Sequence, residues 1–451
     1  MYTPHTDDEI RAMLAEIGAP SLEALSSPPR GLEIKESLGL PPALPEAEAY
    51  SHLKALAGKN DAARKVSFLG AGAYRHYQPP AVPWFAMRSE FLTAYTPYQA
   101  EASQGSLQAI FEWQTYVCLL TGMDVSNASL YDGATALVEG VIMAMHANGC
   151  KRVVVSQAVH PMYRAVLATY ATGMGLEVID LPYDAAGVTD LEGGADLARG
   201  ASCVVVQSPN FFGCIEDVDA ASKLAHDNDA LSVCVTAEAL SLAVLKTPRE
   251  CGADIALGEA QSFGLPVGYG GPYVGFIAST KEHVRRLPGR LVGETTDVDG
   301  RRAFVLTLQG REQHIRRELA TSNICTNQAL CALIATVYLA TVGATGLRAI
   351  ATTNLRRARE LSDALTSITG FSRAFGTPFF NEFCLRTPVP AEQLARALER
   401  RGILAGLPLS RFYPELTHHL LICATELTTP DDIRHLNSAL AEETSRAVAA
   451  V

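Results

Sequence analysis

Lysine is scarce and unevenly placed: there are eight in 451 residues, at 35, 54, 59, 65, 151, 223, 246 and 281, and none beyond. Few amines are therefore left for Schiff-base chemistry. Basic residues are in deficit as a class, with 37 Lys plus Arg against 48 Asp plus Glu and a net charge of −11. That balance argues against a general affinity for nucleic acid or anionic lipid. The ten cysteines include no Cys-x-x-Cys pair and lie mostly in apolar runs, so they read as reduced core residues. Met1 to Glu9 carries three acidic residues and no apolar run. Neither a secretory signal nor a basic transit peptide is expected there, and the expected compartment is the cytoplasm. One charge-free stretch, 319–347, invites a membrane reading, but Asn323, Thr326, Asn327, Gln328, Thr336 and Thr341 interrupt it. Its dense part falls short of the roughly 20 strongly apolar residues a bilayer takes, so a buried helix is expected.

The chain does have enough apolar residues, 48%, to bury a large core, and its length sets a prior of about three domains or subdomains. Thr6 and Glu9 form a capping box ahead of Ile10, Met13, Leu14 and Ile17, with Gly18 as the stop, so a short amphipathic helix opens the chain. Pro28, Pro29, Pro41, Pro42 and Pro45 follow, and 1–104 reads as an N-terminal arm and loop laid over a larger body. A helix over 107–120 begins a region, 105–325, in which helices alternate with β-branched runs at 152–155, 177–181, 203–206, 231–235, 254–257 and 273–278. Alternation of that kind specifies a mostly parallel sheet flanked by helices, with ligands beyond the strands' carboxyl ends. Helical periodicity resumes over 312–365. The part from 326 to 451 reads as a linking helix and a C-terminal α+β lobe, with strands at 379–385 and 419–423 and helices at 391–401 and 430–449.

This α/β layout resembles the aspartate aminotransferase-like fold of pyridoxal phosphate (PLP)-dependent transferases. PLP chemistry asks for a lysine, an acidic group for the pyridine nitrogen and a helix N-terminus for the phosphate. Glu238 follows the 231–235 strand and fits the acidic place, but the next loop reads Gly258-Glu-Ala-Gln-Ser-Phe, with Gln261 and no lysine. Lys246 and Lys281 lie outside that loop and read as surface charges. At 129–135 small residues would admit a phosphate, yet Asp132 is a good N-cap whose carboxylate would repel one, so a plain capped helix is expected. The stretch from Tyr95 to Gly105, rich in tyrosine, glutamine and threonine around Pro97, is read from its residues alone as ordinary turn structure. His160 reads as a structural hydrogen-bond partner and Asn210 as a residue of a strand-end loop.

Phe68-Leu-Gly-Ala-Gly, Ser89-Glu-Phe-Leu-Thr-Ala-Tyr-Thr-Pro-Tyr-Gln, Gln108-Ala-Ile-Phe-Glu and Tyr131-Asp-Gly-Ala-Thr-Ala-Leu form a recognisable set. So do Gly258-Glu-Ala-Gln-Ser-Phe-Gly-Leu-Pro, Gly270-Gly-Pro-Tyr and the run from Arg311-Glu-Gln-His to Cys325-Thr-Asn-Gln. Over nearly its whole length the chain resembles the alpha subunit, or subunit 1, of glycine decarboxylase, the P-protein of the glycine cleavage system. The resemblance implies a cofactor-less chain working with a beta subunit that carries PLP, in an alpha2beta2-type heteromer. Together they would decarboxylate glycine and transfer the aminomethyl group to the lipoyl arm of H-protein. Gln261 would occupy the place of the beta-chain lysine. Tyr95, Tyr98 and Gln104 would wall a shared site, and Thr96, Gln99, Glu101 and Ser103 would help bind substrate. Departures from the family pattern fall at Ala100, at Glu238 and Ala239, and at Leu319, where the family usually has lysine. The cluster Arg311, His314, Arg316 and Arg317 reads equally as a subunit interface and as a solvated helix face. Two other functions compete: a self-sufficient PLP-dependent lyase or transferase using Lys246 or another lysine, and a non-catalytic regulatory paralogue.

Overall fold

The computed structural model describes residues 4–28, 31–32, 38–92 and 95–449. Met1, Pro29, Lys35, Thr93 and Ala94 lie outside the described residues. The chain divides into two units, residues 1–63 and 64–451. The first holds helices α1 (Asp7–Ile17), α2 (Leu22–Leu25) and α3 (Glu46–Ala57). In α1 the capping box is complete, Thr6 accepting from the Glu9 N–H and the Glu9 side chain accepting from the Thr6 N–H, and Gly18 ends the helix at φ 71°.

The second unit begins with β1 (Val66–Ser67), α4 (Ala81–Ala86) and α5 (Gln104–Thr121). It continues through β2 (Val125–Ser126), α6 (Gly133–Asn148), β3 (Arg152–Ser156), α7 (Pro161–Met174), β4 (Glu177–Leu181), β5 (Cys203–Gln207), α8 (Val218–His226), β6 (Leu231–Thr236), β7 (Ile255–Glu259) and β8 (Gly275–Ser279). These strands form one seven-stranded sheet in the order β2-β8-β7-β6-β5-β3-β4. The β4, β3, β5, β6 and β7 neighbours pair in parallel, and β8 runs antiparallel to both β7 and β2. Every residue of β5, β7 and β8 is buried, as near-continuous apolar strands covered on both faces must be. The faces alternate residue by residue. Val233 and Val235 of β6 pack with Leu137 and Val141 of α6, whereas Cys234 packs with Trp113 and Val117 of α5.

A hairpin follows, β9 (Val292–Thr296) and β10 (Arg302–Leu306), which the expected strand list lacked. Its signal was the Asp299-Gly300 turn, where Asp297 accepts from the N–H groups of Asp299 and Arg301. The long helix is also shorter than expected. The single turn α9 (Gln313–Arg316) and 3-10 turns at Gln309–Arg311 and Arg317–Leu319 form before 320–328 runs without regular structure, and α10 spans Ala329–Thr366 with a break at Gly343. Side-chain bonds of the polar residues compete with a helix there: Ser322 accepts from the Ile324 N–H, and Asn327 donates to the Ala128 carbonyl. Cys325 is consequently exposed, unlike the seven buried cysteines. α10 is long and apolar enough to cross a membrane by length and composition. Its first half is instead packed on the large sheet through Cys331, Ala335, Tyr338 and Leu339.

The second half of α10 enters the C-terminal lobe, where Ala358, Leu361 and Leu365 pack with α11 (Ala391–Glu399) and α12 (Pro430–Ala449). Those helices cover an antiparallel sheet, β11 (Ser372–Arg373), β12 (Glu382–Arg386), β14 (Leu407–Pro408) and β15 (His419–Cys423), ordered β11-β12-β15-β14. A short strand β13 (Ile403–Leu404) pairs in parallel with β1, which ties residues 66–67 to this lobe.

Candidate functional site

The carboxyl ends of the parallel strands converge on one cleft, the place where open α/β sheets bind ligands. β3 delivers His160, β6 delivers Glu238, β7 delivers Glu259 and Gln261, and the N-terminus of α6 faces them with Asp132 and Gly133. All but Asp132 are buried. Each is already engaged by another part of the chain. Gln261 Nε2 donates to the carbonyls of Tyr74 (2.9 Å) and Leu265 (2.7 Å), and its Oε1 accepts from the Tyr74 N–H at 2.8 Å. An amide so held is neutral, saturated and inert toward carbonyls.

Glu238 Oε1 caps the following turn at Leu240, and its Oε2 lies 3.0 Å from His76 Nε2 and 3.1 Å from Asn381 Nδ2. The other imidazole nitrogen of His76 lies 2.9 Å from Glu426 Oε2. Burial pulls the His76 pKa down, but the charges and hydrogen bonds of Glu238 and Glu426 outweigh it and raise it to about 10. The ring is therefore an imidazolium between two carboxylates at neutral pH. Beside it the Glu382 carboxyl, pushed up to about 7 by burial, accepts from the Ala71 N–H at 2.6 Å and from the Tyr74 hydroxyl at 2.7 Å.

At the helix end, Asp132 caps α6 through the Thr135 N–H at 2.7 Å, as the sequence indicates. The Gly133 N–H donates to Glu259 Oε2 at 3.0 Å, and Glu259 Oε1 accepts from Gln261 and Val274. Burial pushes the Glu259 carboxyl up to about 8, against those three backbone donors. His160 caps α7 through Nδ1 and donates from Nε2 to the Ala71 carbonyl at 2.9 Å. Its ring stacks on Tyr163 at 4.7 Å and meets Phe211 edge-on, the structural role expected of it. Asn210 holds its own loop, donating to Gly187 and Glu216 and accepting from Phe212 and Cys214. Lys246 is exposed and ion-paired with Asp219 at 3.3 Å, which raises its pKa and keeps it a poor nucleophile.

The loop before α5 lies elsewhere. Tyr95 is 82% exposed, its hydroxyl 3.4 Å from Thr326 Oγ1, and it lines a cavity of about 470 Å³ with Phe91, Pro97, Asn327 and Gln328. Tyr98 is half-buried, donates to Asn327 Oδ1 at 2.6 Å and carries the Arg290 guanidinium 4.4 Å above its ring. Arg290 in turn pairs with buried Glu312 at 3.3 Å. Gln104 is a crosspiece: its Nε2 donates to the carbonyls of Ala100 and Phe304, and its Oε1 accepts from the Phe304 N–H, each at 2.8 Å. Thr96, Gln99 and Glu101 are exposed and Ser103 is half-buried, none of them lining the cavity. The basic cluster divides, with the Arg311 guanidinium turned in to the Leu287 carbonyl, and Arg316 and Arg317 exposed beside exposed Leu319.

A family model described as glycine cleavage system P-protein matches residues 1–440. The chain belongs to the glycine cleavage system P-protein family. It is similar to a P-protein relative from Moorella thermoacetica, a probable glycine dehydrogenase (decarboxylating) subunit 1, with 50% identity over 441 residues, 97% of this chain and 98% of that protein. It is also similar to a crystal structure of glycine decarboxylase (P-protein) of the glycine cleavage system in inhibitor-bound form. The identity is 48% and the TM-score 0.89, over 98% of this chain and 99% of that one. A Lactobacillus brevis glutamate decarboxylase, 14% identical with TM-score 0.67 over 92% of this chain and 95% of that one, shares the fold alone. The fold is thus the aspartate aminotransferase-like α/β fold of PLP enzymes.

The cofactor that this fold implies does not fit the cleft of this P-protein chain. The lysine position holds a saturated glutamine, the acidic position is taken by His76, and the helix N-terminus is met by carboxylates. His76, Tyr74, Glu382 and Glu426 were absent from the sequence-level candidates. Their partners lie 162 to 350 residues away, so no local spacing reveals them.

Proposed function

We propose that this chain is the cofactor-free alpha subunit of a heteromeric glycine dehydrogenase (aminomethyl-transferring, decarboxylating), acting in glycine cleavage. Its partner in this reading is a homologous beta subunit that carries PLP on a lysine, in an alpha2beta2-type assembly in the cytoplasm, with the lipoyl arm of H-protein as acceptor. The observation that carries the proposal is Gln261, whose amide is bonded at both ends to the Tyr74 backbone where a Schiff-base enzyme needs a free amine. Membership of the P-protein family and the subunit 1 name of its relatives support it.

In this proposal the chain's own contribution is the loop from Tyr95 to Gln104, which borders the shared site. Tyr95 presents an exposed hydroxyl at the cavity rim, while Tyr98 and Gln104 wall the site by bracing the loop on Asn327 and Phe304. Thr96, Gln99, Glu101 and Ser103 supply polar groups for substrate from the same loop. The working division is 1–104 as arm and active-site loop, 105–325 as large domain, and 326–451 as linking helix and C-terminal lobe. The test is reconstitution: the purified chain alone releases no carbon dioxide from glycine, and adding the beta subunit and lipoylated H-protein restores release. Decarboxylation by the isolated chain would overturn the proposal.

A further inference from the structure

The segment 68–78 runs through the strand-end cleft and touches two of the three positions at which the fold would hold a cofactor, the lysine place and the acidic place, together with His160 at the end of β3. Tyr74 saturates Gln261, His76 pairs with Glu238, and the Ala71 carbonyl takes the His160 N–H. We infer that this segment permanently closes the cleft, with the His76 ring standing where the fold would place a pyridine ring, and that it replaces a cofactor as the tie between the C-terminal lobe and the large sheet.

The tie is bonded on both sides. Toward the lobe, the Phe68 carbonyl accepts from the Cys423 N–H at 2.9 Å, Ala71 and Tyr74 donate to Glu382, Thr425 Oγ1 donates to the Arg75 carbonyl at 2.8 Å, and the Tyr77 N–H donates to Glu426 Oε1 at 2.6 Å. Toward the sheet, the bonds run to Glu238, Gln261 and His160, and Gln78 donates to the Gly264 carbonyl. The segment is close-packed at its glycines. A Cβ at Gly72 would come within 2.7 Å of His160 Nε2, and one at Gly70 would collide with Glu382. The charge balance is also closed from within, because His76 meets Glu238 from β6 and Glu426 from the lobe, with Asn381 on Glu238 and the Tyr74–Glu382 pair alongside. A cation held by a carboxylate at the end of β6 is the arrangement a protonated pyridine would need, and here the polypeptide supplies it. Restoring an amine at residue 261 therefore does not restore a cofactor site, since the ring would have to expel Tyr74 and His76.

The test uses the full chain. Gln261→Lys is incubated with PLP, reduced with borohydride and digested, and the expected mass spectrum shows no pyridoxyl adduct on residue 261. An adduct there overturns the closure. The wild-type chain provides a second reading that needs no variant. By hydrogen exchange, the peptide covering 68–78 is expected to keep slowly exchanging amides at Ala71 and Tyr74, whose N–H groups are bonded in the cleft, and to be unchanged by added PLP. Rapid exchange of that peptide, or a change in its exchange when PLP is added, overturns the inference even if the lysine variant does not fold.

Discussion

The imidazole of His76 lies 3.0 Å from the carboxylate of Glu238, although 162 positions separate the two residues in the chain. That pair, completed by Glu426, places a cation on the acidic group at the end of β6. Removing the cation leaves two buried carboxylates facing each other, which is costlier than never having built the pair. His76→Ala is expected to destabilise the chain by about 3–5 kcal/mol, read from denaturant midpoints. Adding Glu426→Gln should recover part of the loss, and an unchanged midpoint in His76→Ala would show that the clamp does not hold.

The same pair sets a pH dependence. The folded-state pKa of His76, about 10, lies above the ordinary value of 6.5. Its contribution is thus full below pH 6.5, where the ring is charged in both states, and is lost as pH rises through about 10. Measured across that window, the stability gap between wild type and His76→Gln should narrow. A gap that widens with pH would contradict the sign.

Gly72 takes φ +92°, and a Cβ there would meet the His160 ring, whereas Gly149, at φ +79°, has nothing near its missing Cβ. Gly149→Ala is expected to cost only the left-handed strain, about 1–2 kcal/mol. Gly72→Ala should cost clearly more, because the ring and the segment are fixed on both sides. Paired unfolding curves of the two variants check the ranking.

Two residues of the loop before α5 should separate by what they change. Gln104 makes two backbone bonds to Phe304 of β10 and one to Ala100 of the loop, so Gln104→Ala is expected to lose roughly 1–3 kcal/mol of stability. Tyr95 makes one long contact at an exposed position, so Tyr95→Phe should leave the melting temperature in place. In the reconstituted complex Tyr95→Phe is expected to lower turnover, and wild-type rates would remove its hydroxyl from the mechanism.

Much was legible from local pattern. The Val-rich run 152–155, the Cys203–Val206 run and the Glu177–Leu181 run all became sheet strands, the first two because short β-branched runs between turn signals are buried in a covered sheet, the third as its half-exposed edge. The Thr6 and Asp132 caps were equally plain, since capping depends on residues three apart. The lysine inventory and Gln261 gave the chemical exclusion directly. The pattern misled at 312–328, where the Asn327 side chain donates to the Ala128 carbonyl and the Gln328 N–H donates to Ser129 Oγ, bonds that take the place of helical ones.

By itself, then, the sequence determined the strand and helix periods, the absence of an amine at the end of β7 and the family strings, all of which are local. Only the tertiary structure decided what fills the cleft. The bonds from Tyr74 to Gln261 and from His76 to Glu238 and Glu426 join segments that come together when the sheet and the C-terminal lobe have both formed, and no spacing along the chain encodes such a meeting.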